Sequence, residues 1–400
     1  MYVSLSRIVL VLVLAGSYIC FEGYLLLRAF GRNITGRGKT VRKILLWAYW
    51  PLFLLAAGLY FYSRYSAGGV RSIFGLVSSS WGLFFMIPFF LLADILSFIS
   101  FLLRRVPQKF RTAFSTALST ALSTAYSRWI RPAVLVLAGG AIALGSFSAH
   151  YPKITNYSVT VEKPLPREGF RVILLSDIHI GAMVRKKELA RLVSMINSLE
   201  GDLVLIAGDI IDRDLDIYRK ENLNEELGAI MASMGVYAVP GNHDYFGGNL
   251  RELKEMLAAA GVKLLADELV LLDGVYVIGR NDFSVGRWGG TRKPLSELTA
   301  GLDDSLPLIL MDHQPVNLSE AEGAGIDLQV SGHTHRGQIW PALIITGRIY
   351  ENHYGLLYKG KTAVVVTSGC GTWGPPLRIG TRSEIVCIEL KNPPGYNGKN

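Results

Sequence analysis

Apolar positions follow two regimes along the chain. Over the first 150 residues they form long continuous runs at about 8–27, 44–63, 73–103 and 133–149. A helix needs roughly 20 apolar residues to cross a bilayer, so these runs predict four transmembrane helices. The third run is over-long and contains Pro88 and Asp94; the fourth is short and rich in Gly and Ala. No small-residue cleavage site follows the first run, which reads as a retained helix rather than a signal peptide. From residue 171 the pattern changes to short β-rich runs alternating with amphipathic stretches. Strands are predicted at Arg171–Leu175, Leu203–Ala207, Gly235–Val239, Leu308–Met311 and Asp327–Val330, and a helix at Lys186–Leu199. The expected organisation is a membrane domain over 1–150, a linker or first strand over 151–169, a catalytic domain over 170–392 and a flexible tail over 393–400.

Composition sharpens this division. The 400 residues are 50% hydrophobic, with a mean hydropathy of +0.31. The formal charge of +9 divides unevenly, as +13 over 1–150 and −4 over 151–400. The basic residues therefore lie between apolar runs, and the half that carries the chemistry is mildly acidic. That distribution argues against a nucleic-acid partner, which needs clustered cations on the soluble part. It fits membrane topology instead. Arg28, Arg32, Arg37, Lys39, Arg42 and Lys43 fill the first connection, and Arg104, Arg105, Lys109, Arg111, Arg128 and Arg131 the third. Arg64 and Arg71 are all that the second holds, with Arg7 and Lys153 at the outer ends. By the positive-inside rule the first and third connections face the cytoplasm, which places the catalytic domain on the extracytoplasmic face of the cell membrane.

Within the third connection a bulky apolar residue recurs every fourth position from Phe110 to Ile130. This reads either as an interfacial helix or as a low-complexity linker. Glu22 and Asp94 inside spans mark a polar path or a helix pairing. Of the three cysteines, Cys370 and Cys387 can form a disulfide or simply pack as small core residues, the reading we favour; no Cys-x-x-Cys is present.

Five of the predicted strands end in metal-type residues. Ser176-Asp177-Ile178-His179 follows the first, Gly208-Asp209-Ile210-Ile211-Asp212 the second, and Gly241-Asn242-His243-Asp244 the third. Asp312-His313-Gln314-Pro315 and Gly332-His333-Thr334-His335 follow the last two. Sites in open α/β sheets form at the carboxyl ends of strands, so the pattern gathers all five clusters at one rim. Alternation of side chains along an extended strand end would turn Asp177 and His179 to the same side, and likewise His333 and His335. Carboxylate and amide oxygens mixed with imidazole suit Mn, Fe or Zn rather than Ca. Five of the seven histidines fall in these clusters, a distribution that isolated core histidines do not produce. A shared carboxylate can bridge a pair of ions, which clamp the attacking and leaving oxygens of a displacement at phosphorus.

The order Asp-x-His, Gly-Asp-x-x-Asp, Gly-Asn-His-Asp, His, Gly-His-x-His over about 170–390 resembles the calcineurin-like metallophosphoesterase superfamily, with every position of the pattern filled. The stretches Gly-His-Thr-His-Arg-Gly-Gln at 332–338 and Ser-Gly-Cys-Gly-Thr-Trp-Gly-Pro-Pro-Leu-Arg at 368–378, followed by Glu384, are similar to its bacterial YkuE/YaeI-like branch. The resemblance implies a four-layer α-β-β-α sandwich, here preceded by an all-α membrane domain. It implies that Asp177, His179, Asp209 and His335 hold one metal ion, and that Asp209, Asn242, His313 and His333 hold a second. His243 would be the non-ligand general acid, oriented by Asp244, with a metal-bridged hydroxide as the attacking group. Arg336 and Arg378 would either contact substrate phosphate or serve as structural arginines. The glycines after 368 permit a close approach to the site or mark plain turns; Trp288 and Trp373 gate the cleft, contact lipid or, more simply, pack in the core or rim. The implied activity is hydrolysis of a phosphodiester or pyrophosphate by an enzyme anchored in the lipid bilayer. Its substrate would be phosphorylated and lipid-linked or nucleotide-linked, since the branch includes enzymes acting on UDP-diacylglucosamine. The competing readings are a metal-binding sensory or regulatory membrane protein without turnover, and a transporter with a hydrolase attached.

Overall fold

The computed structural model describes residues 131–396, apart from 182, 214 and 246–249. The chain divides into two compact units, Met1–Leu144 and Gly145–Asn400. Helix α1 covers Arg131–His150, so the expected fourth span at 133–149 is helical. Its end, however, belongs to the second unit. Gly145 O accepts from Arg378 N–H at 3.0 Å, Ser148 O from Ser383 N–H at 3.0 Å, and Ala149 O from the Ser383 hydroxyl at 2.9 Å. Backbone bonded to a protein loop in this way is not lipid-facing helix. Among the described residues no helix is long and apolar enough to cross a membrane. The expected spans at 8–27, 44–63 and 73–103, the Phe110–Ile130 repeat, Glu22 and Asp94 lie outside the described residues.

The second unit is built on two six-stranded mixed sheets. The first contains β1 (Lys153–Thr160), β2 (Phe170–Leu175), β3 (Leu203–Ala207), β4 (Val236–Val239), β5 (Val262–Leu264) and a strand from the end of the chain, β12 (Glu384–Lys391). Their order is β1-β12-β2-β3-β4-β5, and β2 to β5 are mutually parallel. The second sheet contains β6 (Glu268–Leu272), β7 (Val275–Gly279), β8 (Leu308–Met311), β9 (Leu328–Ser331), β10 (Gly355–Lys359) and β11 (Thr362–Val366), in the order β10-β11-β9-β8-β7-β6.

Burial explains why β3 and β8 read as continuous apolar runs and β2 nearly so: both faces of each strand are covered. Val172, Leu174, Leu203 and Leu205 turn inward and meet Val277, Ile309, Val330 and Val365 of the second sheet in one core. On the outer face of the first sheet, Ile173, Leu175, Val204 and Ile206 pack on α2 (Lys186–Asn197), which presents Leu189, Leu192, Val193 and Ile196 at helical spacing. Glu188 caps α2 by accepting from Arg185 N–H at 3.2 Å. The short helices α3 (Asp216–Lys220) and α4 (Asn224–Gly228) and the longer α5 (Leu250–Ala259) complete this layer. On the far face of the second sheet, α6 (Leu295–Leu298) and α7 (Leu318–Gly323) cover Ile278, Leu308 and Leu310. A last helix, α8 (Ala342–Ile349), buries none of its residues. The layers thus run helix, sheet, sheet, helix. Cys370 and Cys387 are free thiols, not a disulfide.

Candidate metal centre

Five strand ends deliver the cluster, but from two rims. The loops after β2, β3 and β4 carry Asp177, His179, Asp209, Asn242 and His243; those after β8 and β9 carry His313, His333 and His335. The expectation that all five clusters share one rim is therefore corrected. Side chains within each pair do not converge by strand alternation either. Asp177, His179, Asp209, His333 and His335 all adopt left-handed backbone, with φ of 54°, 51°, 52°, 67° and 48°. Such conformations cost non-glycine residues about 1–3 kcal/mol each and persist only where the surroundings enforce them. Backbone bonds between loops do so here: Asp177 N–H donates to Gly208 O at 3.0 Å, and His179 N–H to Asp209 O at 3.1 Å.

Close approach sets the glycines. A Cβ on Gly208 would fall 2.5 Å from His313 Nδ1, and one on Gly371 would fall 2.2 Å from Ile178 O. The loop after β11 therefore does come against the site, with Gly371 N–H donating to Asp177 O at 2.9 Å. Buried Glu384 pins that loop by accepting from Ser368 N–H at 2.9 Å and the Thr367 hydroxyl at 3.1 Å.

Asp177, His179 and His335 form one donor group, and Asp209, His313 and His333 another; a third combination joins His179, Asp209 and His243. Donor atoms within each lie within 4.8 Å of one another. Asp209 Oδ2 stands between the groups, 3.8 Å from His179 Nε2 and 3.4 Å from His313 Nε2. Its Oδ1 accepts from His243 N–H at 2.8 Å. Asn242 Oδ1 lies 3.2 Å from His313 Nε2, completing the second group.

The donors fit metal ions. His179 Nε2 and His335 Nε2 approach to 3.2 Å, and His335 Nε2 lies 3.3 Å from Asp177 Oδ1. Burial pushes His179 down to about 4 and His335 well below its usual value, so both rings are neutral. These three donor atoms converge within reach of a single cation. His313 Nδ1–H donates to Ala207 O at 2.8 Å, which leaves Nε2 as a ligand lone pair. Burial alone would hold Asp209 neutral, but His313 and His179 keep its carboxyl well below the usual range. Burial lifts Asp177 to about 6.

His243 has the opposite character. Burial opposes its charge, yet Asp212 and Asp209 raise it to about 9. Its Nδ1–H donates to Asp212 O at 2.7 Å, with Asp212 Oδ1 at 3.6 Å. This corrects the role expected of Asp244, whose carboxylate accepts instead from Ile210 and Ile211 N–H at 3.0 Å each and from Gly241 N–H at 2.8 Å. Asp244 braces the loops; Asp212 faces the imidazole. The signal for Asp212 was its place as the second Asp of Gly-Asp-x-x-Asp.

Neither arginine is shown at a substrate position. Arg378 is 1% exposed and donates to Ser368 O at 2.6 Å, Gly371 O at 2.7 Å and His335 O at 3.2 Å, so it is a structural clamp behind His335. The Arg336 guanidinium lies 4.1 Å over the Tyr354 ring. Trp288 and Trp373 are exposed, not packed in the core.

Residues 170–337 match the family model for calcineurin-like phosphoesterases. The chain is 34% identical over 257 residues to a "transmembrane protein with metallophosphoesterase domain" of Danio rerio, covering 61% of this chain and 58% of that one. It is 34% identical to an "uncharacterized metallophosphoesterase" of Helicobacter pylori, covering 60% and 64%, and 28% identical to YkuE of Bacillus subtilis, covering 64% and 94%. The chain spans roughly three fifths of the length of the first two of these relatives.

Proposed function

We propose that the protein is a binuclear-metal hydrolase of phosphodiester or pyrophosphate bonds, and that residues 170–337, which match the calcineurin-like phosphoesterase model, carry the activity. The observation that carries this reading is the pair of Asp/His donor groups with the Asp209 carboxylate between them and the His243 imidazole beside them. The donor set suits two ions of the Mn, Fe or Zn type. When bound, such ions polarise the phosphoryl oxygens and bring the pKa of a bound water from 15.7 to about 7. Asp177, His179, Asp209 and His335 would hold one, and Asp209, Asn242, His313 and His333 the other. The remaining work falls to the chain. His243 holds a proton at neutral pH and delivers it to the leaving oxygen. Asp212 fixes the ring by taking its Nδ1–H, which directs Nε2 toward the substrate. Left-handed backbone at the ligands sets their directions in advance, so little reorganisation accompanies reaction.

The long apolar runs before residue 131 and the printed name of the Danio rerio relative support anchoring in a membrane, with a phosphorylated substrate at the bilayer surface. Lysine and arginine counts support the extracytoplasmic face.

Purified protein loaded with Mn²⁺ should cleave bis-p-nitrophenyl phosphate, and Asp209→Asn and His243→Ala should abolish most of that activity. Equal activity in all three proteins would refute the assignment. For sidedness, a reporter fused after Asn400 should be active only outside the cytoplasm; cytoplasmic activity reverses the orientation.

A further inference from the structure

Among the described residues of the second unit, helix α8 is the one helix of eight or more residues that buries none of its side chains, yet it is among the most apolar. Trp340, Ile344, Ile345 and Ile349 are 47%, 43%, 57% and 66% exposed. Ile345 and Ile349 follow helical spacing, Ile344 lies beside Ile345, and Trp340 stands in the turn just before the helix. The inner face lies against the domain: a Cβ on Gly337 would meet Leu343 N at 2.3 Å, and Gly347 lies against His353. Trp373, 58% exposed, is tied to the same place, because Gln338 accepts from Trp373 N–H at 2.9 Å and donates to Trp373 O at 2.8 Å. A soluble surface does not leave three isoleucines and two tryptophans together without a partner.

Three observations say what the partner is. Residues 331–350 contain no acidic residue, while Arg336 and Arg348 flank the apolar face, a distribution that suits anionic headgroups. Tryptophan at the edge of an apolar stripe is the composition of a membrane interface. Finally, Gly145, where this unit receives the chain from the apolar N-terminal runs, packs against Ile379, and Ile379 O accepts from Trp340 N–H at 2.8 Å. The chain therefore enters the unit at the edge where α8 lies.

That edge is also the edge of the metal centre. The turn His335–Gly337 leads into α8, and Tyr350 at its end stands edge-on to His333, with ring centroids 6.1 Å apart. We infer that α8, with Trp340 and Trp373, is an interfacial element that seats the catalytic unit on a lipid bilayer, so that the substrate is a phosphodiester or pyrophosphate whose apolar tail stays in the membrane. The substrate part of this inference rests on the hydrolase reading above; the docking part does not.

The test uses the full chain reconstituted in phosphatidylcholine–phosphatidylglycerol nanodiscs. A fluorophore on Ile345→Cys or Ile349→Cys should be quenched by lipids brominated on the acyl chain and shielded from aqueous iodide, whereas one on Leu271→Cys in β6 should show the reverse. A label at Ile345 open to iodide overturns the docking surface. So does a label shielded from both quenchers, which would mean that protein covers the face. Next, Ile345→Glu with Ile349→Glu should lower turnover of a phosphodiester lipid in vesicles by about tenfold or more while soluble bis-p-nitrophenyl phosphate changes less than about twofold. Equal effects on both, or on neither, overturn the substrate assignment. If the unsubstituted protein cleaves neither compound, the hydrolase reading fails and the substrate assignment with it, and the quenching result still decides the docking surface.

Discussion

The two rims that meet at the metal centre contribute different chemistry. The loops after β2, β3 and β4 supply both carboxylates, the amide of Asn242 and the proton-bearing His243; the loops after β8 and β9 supply only the imidazoles His313, His333 and His335. The first rim also positions the second. Ala207 O takes the Nδ1–H of His313, and the Asp177 carboxylate accepts from His333 N–H at 3.0 Å. Charge and framework come from one sheet, neutral donors from the other. Such asymmetry would suit a pair of bound dications, since the two carboxylates would offset two of the four charges and the imidazoles would complete the coordination without adding more.

Substitutions can break or sharpen this contrast. Asp209→Asn should have the largest effect, because the Asp209 carboxylate lies between the two donor groups, 3.8 Å from His179 Nε2 and 3.4 Å from His313 Nε2. Loss of several kcal/mol of charge stabilisation corresponds to about 10³-fold or more in kcat/KM. Metal analysis should also show fewer than two ions per chain, and full occupancy with near-normal activity would refute a shared ligand. His243→Ala should cost about 10²–10⁴-fold in kcat while both ions stay bound. Loss of an ion would instead make His243 a ligand, as its grouping with His179 and Asp209 permits. On the second rim, Arg378→Met removes the clamp behind His335 and should weaken metal affinity by about 10–100-fold, read by titration with a chelator. An unchanged affinity would mean that the second rim needs no support of its own.

The smallest expected effect belongs to Asp212→Asn, about tenfold in kcat at neutral pH. Here the pH profile is the sharper readout. His243 must be protonated to act as an acid, and its value is raised to about 9. Activity should therefore persist on the alkaline side and fall as pH rises through that region. Asp212→Asn keeps the backbone carbonyl that accepts from Nδ1 but removes the carboxylate charge 3.6 Å away that raises His243, so the alkaline limb should move to lower pH. A limb that stays in place would assign it to another group.

Much of this was legible in advance because metal donors at strand ends are a local feature. The β2, β3 and β8 runs are apolar stretches in the sequence, and the seven candidate ligands are Asp, Asn and His residues that follow such stretches. Arg378 was not legible: a guanidinium that clamps a loop and one that grips phosphate look alike until burial separates them. The role of Asp244 was misplaced for a related reason. Adjacency to His243 suggested contact, but the carboxylate turns to three backbone amides, and Asp212, 31 residues away, faces the ring. The fourth apolar run shows the limit of hydropathy alone, since its last turns are held by Arg378 and Ser383 of the catalytic unit.

By itself the sequence determined the ligand inventory, the alternation of strands and helices after residue 170 and the division of charge along the chain, because each depends on residue type and short-range spacing. Tertiary structure decided the rest. It split the strand ends between two sheets, turned the ligands inward through left-handed backbone rather than strand alternation, and left α8 with an unburied apolar face. Those outcomes depend on which faces meet, and contacts between segments far apart in the chain leave no mark in local periodicity.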